Sequence, residues 1–150
     1  MNYLIENIKA IRPRIEEHYN EKFTNRYATA RRINQLRSFS YQWQPYAWAA
    51  IIGFINDRRR KVEPPTTTFG EFGIIAGGKG SPEVFKSLIL LVIANEPNWD
   101  NLILNPKDYL KVIDEYANGG FDYLTEVLDE KGEKYFDEFE NMVREIQNRN

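Results

Sequence analysis

The chain of 150 residues contains no cysteine and a single histidine, His18. The first absence excludes a disulfide framework and any thiolate-held zinc, and it is compatible with a reducing, cytoplasmic setting. The second removes the imidazole that hydrolytic triads and most transition-metal sites require. His18 stands beside Glu16 and Glu17 with no nucleophile near it in sequence, the pattern of a surface or boundary residue. Uninterrupted apolar runs are also short. None approaches the ~20 residues needed to cross a bilayer. The opening MNYLIENIKAIRPR lacks a cationic start followed by an apolar core, so it does not read as a signal peptide.

What is present is an ordinary globular composition, 42% hydrophobic and 28% charged, which at this length predicts one domain spanning 1–150. The charge is uneven. Residues 1–75 carry 12 Lys/Arg against 7 Asp/Glu, a net +5, whereas residues 76–150 carry 8 against 15, a net −7. Between Lys22 and Lys61 nine cations face the single acid Asp57. Such asymmetry points either to a polyanionic partner or to attraction between the two halves, or between copies of the chain.

The stretch from 41 to 61, YQWQPYAWAAIIGFINDRRRK, is predicted to be the central helix. Pro45 suits a first turn, and from Tyr46 to Ile55 the residues are apolar on all sides, as in an enclosed helix. Gly53 in its interior suggests close packing. Arg58, Arg59, Arg60 and Lys61 would then meet the negative end of the helix dipole.

Around it the periodicities give further helices. Leu4, Ile8, Ile11, Ile15 and Tyr19 keep helical spacing, with Pro13 kinking the run or dividing it into two short helices. Residues 21–37 form a second candidate. Val62 to Gly80 reads as a long Gly/Pro-rich loop, since Pro64-Pro65 forbids helix. Ser81-Pro82-Glu83 is a cap, first-turn proline and acid in order, opening a buried helix that Pro97 ends. Asn105-Pro106 opens the next, and Asn118-Gly119-Gly120 reads as its C-cap. A further helix follows from Phe121 to near Gly132. A last one carries Tyr135, Phe136, Phe139, Met142, Val143 and Ile146 on one face. The prediction is an all-α bundle of six or seven helices.

Catalytic motifs are sparse. Gly73 to Lys79 fits seven positions of a phosphate-binding loop, but the eighth is Gly80 where a magnesium-holding hydroxyl is needed. A weaker anion site remains open at Gly78, Lys79, Gly80 and Ser81, before a capped helix. The late acids lie on outward helix faces and show neither calcium-loop nor nuclease spacing. No nucleophile, base and orienter come together, so no enzyme, cofactor or metal is predicted. The cations are the remaining lead. Arg31, Arg32, Arg37, Arg58, Arg59, Arg60 and Lys61 would neutralise phosphates, with Trp43 (and Tyr41 and Phe39 beside it) stacking on unpaired bases.

Three pieces, PYAWAAIIGFINDRRRKVEP (45–64), LILLVIAN (88–95) and EYANGGFDYL (115–124), resemble the small proteins associated with the Dnd system of bacterial DNA phosphorothioation and its linked restriction genes. The resemblance implies a defence setting with DNA or a DNA-handling complex nearby, and supplies no catalytic residue. Two functions follow as expectations. One is a non-enzymatic accessory protein contacting nucleic acid through the basic segment. The other is a protein–protein module, either a homo-oligomer or an adaptor in a DNA-modification or restriction complex. No membrane partner is expected.

Overall fold

A computed structural model describes residues 1–25, 39 and 41–131. Of the helix predicted at 21–37 only residues 21–25 are described, and the last predicted helix, with Tyr135 to Ile146, lies outside the described residues. In chain order the elements are α1 (Asn2–Ile8), β1 (Ile15–Glu16), α2 (Glu17–Tyr19, continuing as a π-helical turn through Asn20–Thr24), α3 (Trp43–Ile55), β2 (Thr66–Thr67), a 3-10 turn (Phe72–Ala76), α4 (Pro82–Asn95), α5 (Trp99–Leu102) and α6 (Pro106–Lys131). The fold is all-α, with a two-residue antiparallel ladder pairing Ile15 with Thr67 and Glu16 with Thr66.

The core is built where α3 crosses α6. Tyr46, Ala49, Ala50 and Ile52 of α3 are buried against Tyr109, Ile113, Tyr116, Ala117 and Phe121 of α6. The apolar character of α3 on every side follows from this. α6, the neighbouring α4 and the Tyr46–Phe69 contact (5.3 Å between ring centroids) leave no residue of α3 fully exposed before Ile55, with Trp48 and Ile51 half-buried. The two backbones approach so closely that a methyl group at Gly120 would lie 1.8 Å from the Ala49 carbonyl oxygen. One at Gly53 would lie 2.0 Å from that of Tyr116. This corrects the reading of Asn118-Gly119-Gly120 as a helix end. α6 runs unbroken from 106 to 131, and these glycines serve the crossing rather than a turn.

The other differences have local causes. The N-terminal run is neither one kinked helix nor two. α1 stops at Ile8, and Pro13 is buried in the connection to β1, where its missing N–H and fixed φ suit extended chain. The loop at 62–80 is irregular as expected but tethered. The N–H groups of Phe72 and Gly73 donate to the carbonyls of Ile11 and Lys9 at 2.8 and 3.0 Å, and Glu17 N–H donates to Pro65 at 3.0 Å. The Pro64–Pro65 peptide is cis. Ser81 caps α4 as its sequence predicts, its hydroxyl accepting from Val84 N–H at 3.2 Å. Among the described residues no helix is long and apolar enough to cross a membrane.

Replacing Gly120 with alanine tests the crossing. At an open helical site this change stabilises by up to ~1 kcal/mol. Here the methyl meets backbone, which cannot rotate aside, and we expect a net loss of about 2 kcal/mol or more in urea unfolding. A neutral or stabilising result would mean that the two helices stand further apart.

Candidate functional site: the arginine strap and the cavity beside it

The central helix ends before its cations. Asn56 N–H closes α3 on Ile52, Asp57 turns the chain at φ +53°, and residues 58–63 continue without regular secondary structure along α6. Arg58 N–H donates to Gly53 at 2.7 Å and Arg60 N–H to Glu115 at 3.0 Å. The Asn118 amide donates to the Lys61 carbonyl at 3.1 Å. Cations expected at the end of the α3 dipole therefore form a strap laid across the flank of α6.

Each arginine of the strap is engaged by acids from the C-terminal half. Arg58 Nη2 lies 2.7 Å from Glu126 and its Nη1 3.6 Å from Asp122, with the guanidinium 5.2 Å from the Tyr123 ring centroid. Arg59 bridges Glu115, at 2.8 Å from Nε, and Glu96, and covers the Tyr116 ring. Arg60 Nη1 donates to Asp122 at 2.9 Å and to the Tyr19 hydroxyl at 3.0 Å. Burial opposes the charge on Arg59, and its two carboxylates outweigh that, raising its pKa. Hydrogen bonding to Glu126 does the same for Arg58. Of the three readings that the charge asymmetry left open, attraction between the halves is the one these contacts display.

The remaining sequence candidates separate. Trp43 is 6% exposed, and its Nε1 has no hydrogen-bond partner among the described residues, so it is a core ring and is not presented for base stacking. Lys61 is exposed. Arg31, Arg32 and Arg37 lie outside the described residues. At the Gly78-Lys79-Gly80-Ser81 bend, the N–H groups of Gly80 and Ser81 are turned inward to Gly77 and Ile75, at 2.9 and 2.6 Å. Gly80 is required there, since a methyl would sit 2.0 Å from the Ile75 carbonyl. The Ser81 hydroxyl is occupied by its cap and by Glu83 at 3.3 Å. Only Gly78 and Lys79 still face outward. The preceding element is a 3-10 turn, so the strand a phosphate-binding loop needs is absent from this position.

Two acids beneath the strap are buried, which corrects the placing of Asp114 among the late acids on outward helix faces; Glu16 stood out in the sequence only as a neighbour of His18. Glu16, 4% exposed, accepts from Glu63 N–H at 2.9 Å and Asn118 at 3.0 Å, and lies 2.6 Å from His18 Nε2. Burial pushes its pKa up, but these hydrogen bonds and the imidazole outweigh it and hold the carboxyl below its usual value. Asp114, 5% exposed, accepts from the Tyr46 hydroxyl at 2.6 Å. Burial dominates here and raises its pKa to about 7, despite the Tyr46 hydroxyl, the Arg14 N–H and the Arg14 charge. Asp114 lies at the wall of a cavity of about 220 Å³ bounded also by Arg14, Lys61, Glu63, Lys111 and Glu115. Its only sequence signal is an acid on the apolar stripe of α6, next to Ile113. Among the described residues no three His, Asp or Glu side chains gather to hold a metal ion.

No family model, curated protein or solved structure matches this chain.

Two measurements probe this region. Removing the double bridge with Arg59→Ala leaves Glu96 and Glu115 unpaired and only 17% and 13% exposed. The expected loss is about 1–2 kcal/mol, above a solvent-screened pair and below a fully buried one. An unchanged urea midpoint would show that the bridge contributes nothing. For Asp114, a folded pKa near 7 against an ordinary 3.8 means full stability below about pH 4 and a loss as pH rises towards 7. Asp114→Asn removes that loss. The stability of the variant relative to wild type should therefore climb between about pH 4 and 7, by on the order of 4 kcal/mol, and level off above. A flat difference in denaturant titrations would show that Asp114 is ionised throughout.

Proposed function

We propose that the protein is a non-enzymatic accessory module of a bacterial DNA-modification or restriction complex, acting by docking onto a protein component of that complex. The observation that carries this reading is an apolar recess between α1 and α4. It is lined by Met1, Ile5, Phe85, Ile89 and Leu90, with Lys86 as the one charged residue on its wall. Leu90 is 58% and Met1 49% exposed. A small recess of apolar side chains with exposed members at its rim offers a seat for one or two apolar side chains of another molecule. The proposed occupant is an amphipathic helix of the partner, with its apolar face on the recess and an acidic flank towards Lys86 and Lys9, whose ammonium lies 5.7 Å from the Phe85 ring centroid. The DNA-modification setting rests on the resemblance of residues 45–64, 88–95 and 115–124.

Direct nucleic-acid contact is the second reading. It now rests on Lys61 and on Arg31, Arg32 and Arg37. Arg58, Arg59 and Arg60 would have to leave their carboxylates before neutralising phosphates, and counterion release would have to compensate for those lost pairs.

The two readings separate on two substitutions. Purified components of a phosphorothioation or restriction complex should bind the wild-type protein. Leu90→Glu should weaken that binding at least tenfold, and Arg58→Glu should leave it unchanged. Concentration-independent light scattering would confine the recess to a foreign partner rather than a second copy. Complex formation indifferent to Leu90→Glu, or salt-steep DNA binding abolished by Arg58→Glu, would overturn the docking proposal.

A further inference from the structure

The cavity beside the strap is a separate feature from the apolar recess, and its wall chemistry selects a ligand. Three elements meet there: the connection before β1 brings Arg14, the strap brings Lys61 and Glu63, and α6 brings Lys111, Asp114 and Glu115. Two of these acids are already engaged. Glu115 is held by Arg59 at 2.8 Å, and Asp114 by the Tyr46 hydroxyl at 2.6 Å beneath the surface. Arg14, Lys61 and Lys111 are exposed and form no ion pair among the described residues. With Glu63 the one unengaged acid on the wall, the groups able to meet a ligand are predominantly cationic.

We propose that this cavity binds a phosphomonoester or inorganic phosphate, held by Arg14, Lys61 and Lys111 beside Asp114. The volume of about 220 Å³ lies below the range of drug-sized pockets and corresponds to roughly seven waters. That suits a compact dianion and the first atoms of its ester rather than a whole nucleotide. An arginine and two lysines supply the planar fork and the two point charges that tetrahedral oxyanions accept. Asp114 does not repel such a ligand while it is protonated. Both sources of the ligand, free phosphate and the phosphorylated end of a nucleic acid, present the same chemistry.

Amide chemical shifts of the full chain, titrated with inorganic phosphate near pH 6.5, provide the test. The expected perturbations centre on Lys61, Val62, Glu63 and on 111–115. Binding should weaken at least tenfold in Lys61→Ala and in Lys111→Ala, and persist in Lys79→Ala, whose cation lies on the 77–81 bend. Both lysines of the site are exposed, and unchanged shifts elsewhere would show that the fold is kept. A 5′-phosphorylated oligonucleotide compared with its unphosphorylated twin identifies the source. A preference for the phosphorylated strand assigns the site to nucleic-acid ends, and phosphate binding with no such preference assigns it to a free ligand. Absence of shifts at 61–63 and 111–115 with both probes, or wild-type affinity retained in both Lys61→Ala and Lys111→Ala, would overturn the proposal.

Discussion

The arrangement depends on how closely two backbones pass. α3 and α6 touch main chain to main chain at Gly53 and Gly120, and Gly119 makes the same approach to the carbonyl of Arg58, where a methyl would lie only 2.2 Å away. α3 ends on a local cap, in which the N–H groups of Asp57 and Arg58 return to the carbonyls of Phe54 and Gly53 before the chain leaves it. Asp57 turns it, and residues 58–61 lie down on the flank of α6. The strap, its ion pairs and the cavity at its far end all follow from one crossing that tolerates no side chain.

Electrostatics then sorts itself by depth. The carboxylates at 122 and 126 sit at the surface, where pairing with Arg58 and Arg60 contributes modestly and salt screens it. Glu96 and Glu115 lie deeper and share one guanidinium. Glu16 and Asp114 lie deepest, without a strap arginine, and shift in opposite directions. Glu16 collects several donors and stays ionised, while Asp114 is dominated by desolvation. The outer acids thus fix the strap in place, and Asp114 gives the neighbouring cavity a wall whose charge depends on pH.

Much of the fold was legible in sequence. The all-round apolarity of 46–55 identified the enclosed helix, Ser81-Pro82-Glu83 marked the start of α4, and Pro64-Pro65 the irregular segment. Asn118-Gly119-Gly120 misled for a physical reason. Glycine at a helix end and glycine at a helix crossing leave the same letters, and only the partner backbone distinguishes them. The site was less legible. Glu115, Asp122 and Glu126 fall at helical spacing on one side of α6, but nothing local shows that they answer Arg58–Arg60, more than fifty residues earlier. Trp43 was equally mute, since an aromatic ring before an apolar helix reads alike as core or as stacking platform.

A row of four basic residues is ordinarily an invitation to trypsin-like proteases, which need the peptide extended and free of its surroundings. Here the backbone is held by Gly53 at the end of α3 and by Glu115 and Asn118 of α6, although the side chains remain partly in solvent. Cleavage within 58–61 first requires the strap to peel away from α6. The most basic stretch of the described chain is thereby turned from a weak point into an indicator of whether the crossing beneath it is intact.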